Sequence, residues 1–492
     1  MTKAGDSPAG QERDGRPTTW GPPGDRTSGA GRRLTWSARR DRPVPRRLAG
    51  QAHVTVGAAA KVVVTVGATA ALAAGALAPA ASAVIPAHAA PSQAAHAMQP
   101  AKAQAAHAVQ PATVQQTPPP QDDPFYTPPD PIPDVAPGSV LRSRQIDVSG
   151  NGFSVPVNAW QVLYRSTSAT FAPNAVSGTV IVPEQAWTGD GERPLVSYAV
   201  GTHGLGPTCA PSYKLATGSE QEFSLFSQAL NRGWAVAVTD YEGLGTPGPH
   251  TYVAGRSLGH AMLDAARAAE RLPDAGLGNS AQIGLWGYSE GGFATAWAAQ
   301  RAADYAPELN VAGAAVGAAP ANMEDMANLH DGGPASGLVL AAAVGLARAY
   351  PDAPFQEILT DEGKRMAAEI STQCVEEFSA RYAFRSLSSY TTVDDPMSLP
   401  RWQEVLADIR LGGTTPQAPA MIYHSPTDEL VTFDQAIALN RDWCAGGATV
   451  QFQPAVLGDH VVGAVTGAPI AVDYLGGRFS GQQAPDTCGT AP

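Results

Sequence analysis

Gln282-Ile283-Gly284-Leu285-Trp286-Gly287-Tyr288-Ser289-Glu290-Gly291-Gly292-Phe293-Ala294-Thr295-Ala296-Trp297-Ala298-Ala299 is the stretch that decides the fold. Its first third is an apolar strand-like run and its last third an alanine-rich helical run. Between them Gly287-Tyr288-Ser289-Glu290-Gly291 reads as a sharp strand-to-helix turn, with glycines where a side chain would collide. Such a turn lifts a serine hydroxyl above the sheet. The helix behind it points unpaired amides at any negative charge forming there. With 51 glycines in 492 residues the pentapeptide alone is a weak signal, so its surroundings carry the reading.

Strand candidates, several of them short and almost uniformly apolar, recur on both sides. They are Trp160–Tyr164, Gly178–Val182, Leu195–Val200, Trp234–Thr239, Gln282–Trp286, Val311–Val316, Ala420–His424 and Val450–Gln453. Uniform rather than alternating hydrophobicity is expected of strands buried on both faces of a parallel sheet. Helical patterns lie between the central ones. Leu258, Met262, Ala265, Ala266, Ala269 and Leu272 form one apolar stripe that Pro273 ends. This alternation predicts an α/β sheet with crossover helices. It breaks from about 322 to 413, where a mostly helical insertion contains the apolar run Leu338–Leu346, read either as core packing or as the wall of an acyl pocket.

A serine hydroxyl needs a base to take its proton and an acid to orient that base. In an α/β-hydrolase these follow in the order Ser, Asp or Glu, His, each after a strand. Asp428 follows Ala420–His424 in the turn Ser425-Pro426-Thr427-Asp428-Glu429, and His460 follows Val450–Gln453. Ser289, Asp428 and His460 are therefore the expected nucleophile, acid and base. Glu429 and Asp434 are rivals for the acid, while Asp459 adjoins His460 too closely to reach its ring. Asp240 reads as structural, and His424 as part of its strand. Two amides should hold the oxyanion. Glu290 supplies one, its carboxylate expected to point away, and the loop Gly201–Gly206 the other, through Thr202 or His203.

The first 61 residues hold 12 of the 32 Lys/Arg and 5 of the 44 Asp/Glu, leaving 20 basic and 39 acidic side chains and a formal charge of −19 in the remainder. So acidic a body argues against nucleic acid or an anionic membrane as partner. Residues 1–83 read as an export signal with a long basic lead, an apolar run Val62–Leu77, and cleavage near Ala83 or Ala89. Residues 84–121 form a low-complexity Ala/Pro/Gln linker, and 122–492 the catalytic domain. Cys209, Cys374, Cys444 and Cys488 form no metal-binding spacing. In an exported chain they imply two disulfides in one of three pairings.

Beyond these features the chain resembles the secretory lipase family typified by Candida antarctica lipase A. The resemblance rests on Tyr198, Cys209-Ala210-Pro211-Ser212-Tyr213, Asp240-Tyr241-Glu242-Gly243, Leu263-Asp264 with Arg267, Gly287-Tyr288-Ser289, Tyr305–Asn310 and Gly332-Gly333-Pro334, all in order. It implies an α/β-hydrolase with a helical cap, a triad at Ser289, Asp428 and His460, and disulfides Cys209–Cys374 and Cys444–Cys488. The family's oxyanion loop is acidic, whereas Gly201–Gly206 is glycine-rich and carries His203. Together the readings predict a secreted carboxylic-ester hydrolase acting on lipid or small ester substrates, without cofactor, metal or obligate protein partner. Lipid-interface contact would be transient. Acyl transfer on the same triad and a non-catalytic exported binding protein are the rival functions.

Overall fold

Each of the eight segments falls on a strand of one nine-stranded sheet, overrunning it by at most one residue. The computed structural model describes residues 117–148, 156–454 and 458–490, all within the compact unit His107–Pro492. The export signal at 1–83, its cleavage positions Ala83 and Ala89, and the linker as far as 116 lie outside the described residues. The strands are β1 (Val140–Ile146), β2 (Val157–Thr167), β3 (Pro173–Pro183), β4 (Leu195–Ala199), β5 (Ala235–Thr239), β6 (Ile283–Tyr288), β7 (Val311–Gly317), β8 (Ala420–Tyr423) and β9 (Val450–Gln453). Their order is β1-β2-β3-β5-β4-β6-β7-β8-β9. The six strands from β5 to β9 run parallel, and β1 to β3 form an antiparallel flank.

Every residue of β4, β5 and β6 is buried, which is why these strands show no polar alternation. Helices cover both faces. α1 (Pro211–Ala216) and α2 (Phe223–Asn231) follow β4, α3 (Gly255–Glu270) follows β5, and α4 (Glu290–Tyr305) follows β6. α3 packs on α4, while α2 packs on the last helix of the chain, His460–Phe479. The predicted stripe falls on α3 from Leu258 to Ala269, while Leu272 lies two residues beyond the helix and a 3-10 turn begins at Pro273.

Between β7 and β8 come five helices: α5 (Met323–His330), α6 (Ser336–Ala349), α7 (Asp361–Ile370), α8 (Val375–Arg381) and α9 (Pro400–Asp408). Asn322 and Thr360 cap α5 and α7 by accepting from backbone amides. α10 (Phe433–Ala445) joins β8 to β9, and α11 (His460–Phe479) closes the sheet. Disulfides join Cys209 to Cys374 and Cys444 to Cys488. The first, with a backbone bridge from Gly204 to Cys374, ties the loop after β4 to the helical insertion. No helix among the described residues is long and apolar enough to cross a membrane.

Two buried acids support this frame. Asp264 on α3 accepts from Arg267 (2.8 Å), Ser166 (2.7 Å) and Tyr305 (2.8 Å), while Arg267 also holds Glu308. Asp240, after β5, accepts from the Ser212 amide (2.7 Å) and from Ser177 (2.6 Å), binding the start of α1. Burial pushes the Asp240 carboxyl up to about 6.

Candidate active site

Register brings the site together. Tyr288 pairs with Gly317, Gly317 with Tyr423, and Tyr423 with Gln453, so β6, β7, β8 and β9 end at one level. Ala199 pairs with Gly287, which sets the loop after β4 beside the turn after β6. The chain passes from β4 to β5 on one side and then to β6 on the other. A crevice at the strand ends follows from that reversal.

Ser289 occupies the turn with φ 60° and ψ −121°, a conformation L-residues seldom adopt. Its amide donates to Gly317 O (3.0 Å) and its carbonyl accepts from Phe293 (2.9 Å), which holds the strained residue in place. A Cβ at Gly287 would lie 2.5 Å from Ala199 O, and one at Gly291 only 2.0 Å from the same atom. Both glycines are needed for this close approach to β4.

His460 is the first residue of α11, and Asp459 caps that helix by accepting from Val462 (2.8 Å). His460 Nε2 lies 2.9 Å from Ser289 Oγ, and Nδ1 lies 2.7 Å from Asp428 Oδ2. Burial alone would raise the Asp428 carboxyl. Hydrogen bonds from His424 and His460, and the amide of Val431, hold it well below the usual carboxylate range. An ionised Asp428 requires a proton on His460 Nδ1, so the Nε2 lone pair faces the Ser289 hydroxyl. Of the rivals, Glu429 accepts from the His460 amide (3.0 Å), and Asp434 sits in the first turn of α10.

His424 has a place that its sequence reading missed. It is fully buried just beyond β8, and its Nε2–H is shared between Asp428 Oδ2 (3.1 Å) and Val431 O (2.8 Å). The four-residue spacing to Asp428 was the available signal.

The amides of Glu290 and Thr202 make no hydrogen bond among the described residues. Both residues line one cavity with Ser289 and His460. The His203 amide likewise makes none, but His203 is not among the residues lining that cavity. Its ring turns inward, Nδ1–H donating to Gly201 O (2.9 Å) and Nε2–H to Glu220 (3.0 Å), while its carbonyl accepts from Val375. Glu222 accepts from Gly201 N (2.8 Å) and from Tyr198 (2.7 Å), completing a buried clamp on the loop. Burial alone would lower the His203 imidazolium, but Glu220 outweighs it and pushes the group up to about 9. A folded value above the unfolded 6.5 gives stability that is complete below about pH 6.5 and disappears as pH rises through about 9. The expected result is a melting temperature that falls over that window, with a smaller fall in His203→Gln, measured by calorimetry.

The cavity is mostly apolar. Leu338, Ala342 and Leu346, spaced four apart on α6, form one wall, while Leu340 and Ala341 on the same helix are buried in the core. The run therefore packs in the core along one side of the helix and lines the cavity along another.

A mostly parallel sheet with a strained serine turn between β6 and α4 makes this an α/β-hydrolase. The chain belongs to the secretory lipase family, whose model matches residues 211–487. A probable inactive lipase of Mycobacterium tuberculosis is 34% identical over 383 residues, covering 75% of this chain and 84% of that protein. The secreted triacylglycerol lipase LIP2 of Malassezia furfur is 31% identical over 397 residues, covering 75% and 82%. Among solved structures, Candida antarctica lipase A in its closed state superposes with TM-score 0.69 at 27% identity, covering 76% of this chain and 90% of that one.

Proposed function

We propose that this protein is a secreted carboxylic-ester hydrolase, a triacylglycerol lipase or esterase working through Ser289, His460 and Asp428. The single observation that carries the reading is the unbroken relay of 2.9 and 2.7 Å from Ser289 Oγ through the imidazole to a carboxylate. Ser289 Oγ attacks the ester carbonyl carbon while its proton passes to His460 Nε2. Asp428 stabilises the resulting imidazolium, and the amides of Glu290 and Thr202 receive the oxyanion. Collapse breaks the ester C–O bond, and the imidazolium protonates the departing alcohol. Water then adds to the acyl carbon as His460 takes its proton, and collapse breaks the acyl–Oγ bond while the imidazolium returns that proton to Ser289, releasing the acid.

The apolar cavity beside Ser289 suits the hydrocarbon chain of a fatty ester, with the insertion at about 322–413 serving as its cap. We assign residues 1–83 to export, 84–121 to a linker and 122–492 to catalysis. Two disulfides and secretory relatives support release outside the cell after cleavage near Ala83 or Ala89.

A relative described as a probable inactive lipase makes a binding-protein role the natural competitor, and labelling separates the two. A fluorophosphonate should attach stoichiometrically to Ser289, and Ser289→Ala should abolish both labelling and hydrolysis of p-nitrophenyl esters. A folded protein that neither labels nor hydrolyses would be a binder.

A further inference from the structure

Glu290 places a carboxyl group directly after the nucleophile, on the residue whose amide is assigned to the oxyanion. Its side chain is only 3% exposed and lies against His250, with Oε1 2.9 Å from Nε2. His250 is buried as deeply, and its Nδ1 lies 2.9 Å from the carbonyl oxygen of Glu242. A carbonyl only accepts, so Nδ1 carries a proton. One further proton is then shared between His250 Nε2 and Glu290 Oε1. Whichever atom holds it, the pair has no net charge.

The same imidazole packs against two tyrosines that bond the other half of the oxyanion site. Tyr241 stacks on it (centroids 5.5 Å apart, planes at 11°) and donates its hydroxyl to Val200 O (2.7 Å). Tyr252 tilts against it at 6.1 Å, with its hydroxyl 3.0 Å from Thr202 Oγ1. The His250 amide itself donates to Leu205 O (3.3 Å). His250 thus bonds Glu290 and Leu205 directly, and supports Val200 and Thr202 through Tyr241 and Tyr252.

We propose that His250 is the positioning residue of the oxyanion site, cancelling the charge of Glu290 and bracing both donor segments. This rests on Ser289 being the nucleophile. Without His250, a carboxylate on the residue donating to the oxyanion would repel the charge that forms there in the transition state. Other titratable groups around the pair are Tyr241 and Tyr252 on either side of the imidazole and Glu222 beneath the loop. Glu242 accepts from Ser257, Arg348 lies beside Gly248, and His460 and His330 line the cavity with Glu290.

The test is His250→Gln, alone and with Glu290→Gln, in the full chain, with p-nitrophenyl butyrate from about pH 6 to about pH 9. Glutamine can still donate to Glu290 but supplies no charge. His250→Gln should lower kcat by about 100-fold near pH 8 while KM changes by less than about threefold. The loss should deepen as pH rises, because a buried carboxyl without a cation is neutral at low pH and ionises at high pH. Adding Glu290→Gln should recover at least about tenfold near pH 8 and flatten the pH profile. A loss equal at every pH, or no recovery in the double variant, would reduce His250 to packing and overturn the proposal. If His250→Gln fails to fold, recovery of the fold in the double variant supports the pair, and failure of both overturns it. Error in the nucleophile assignment shows separately, as esterase activity or labelling that survives Ser289→Ala.

Discussion

His460→Ala is expected to lower kcat by about 10⁶-fold on p-nitrophenyl esters while KM stays nearly constant. His460 Nε2, 2.9 Å away, is the basic atom positioned to take the Ser289 proton, and its loss leaves a neutral hydroxyl as nucleophile. The fold should survive, because the backbone features at the start of α11 do not need the imidazole. Asp459 still accepts from Val462, and Glu429 still accepts from the amide at position 460. Combining His460→Ala with Ser289→Ala should add almost nothing to the loss, since residues that act as one unit are not additive. A residue of about 10³ to 10⁴ over the uncatalysed reaction should persist from the oxyanion donors and substrate binding. Kinetics with fluorophosphonate labelling, alongside a thermal melt to verify folding, would check this. Hydrolysis that persists within about tenfold of the unmodified protein would remove His460 from the role of base.

How much of this was legible in the sequence follows from which interactions are local. The central strands could be read because burial on both faces leaves them almost uniformly apolar, as in β4, β5, β6 and β8. β1 could not, because Arg142 and Arg144 make it polar at the edge of the sheet, where Arg144 pairs with Asp123. α11 was hidden by its own composition, with Pro469 inside it and Gly463, Gly467, Gly476 and Gly477 along it. Local propensity disfavours all five. Tertiary packing overrides that preference, since a Cβ at Gly463 would meet Tyr288 and one at Gly467 would meet Tyr423. Ser289, Asp428 and His460 were placed by the order of strands, which the chain displays openly. The pairings of Glu220 with His203 and of Glu290 with His250 span 17 and 40 residues. They depend on where loops meet in space, which no periodicity records. His424 was within reach, but its place in an apolar run made the strand reading the simpler one.

Asp428→Asn should cost about 10⁴-fold in kcat, because it changes a proton position more than a shape. Four donors converge on the carboxylate. Leu430 and Val431 give their amides to Oδ1 (2.9 and 2.8 Å), and His424 Nε2 and His460 Nδ1 approach Oδ2 (3.1 and 2.7 Å). An ionised carboxylate has lone pairs for all four, whereas an asparagine offers one oxygen and one NH₂. If the NH₂ faces the backbone amides, two buried donors lose their acceptor and a third donor is pressed against them. If it faces the imidazoles, His460 must accept at Nδ1 and carry its proton on Nε2, turning an N–H toward Ser289. That tautomer cannot take the serine proton. KM should change little, since Asp428 is not among the residues lining the cavity. Single-turnover acylation should slow in parallel with kcat, which places the defect in the attack rather than in binding. A loss smaller than about tenfold would mean that another group fixes the imidazole. Glu429, already bonded to the His460 amide, would then be the residue to replace next.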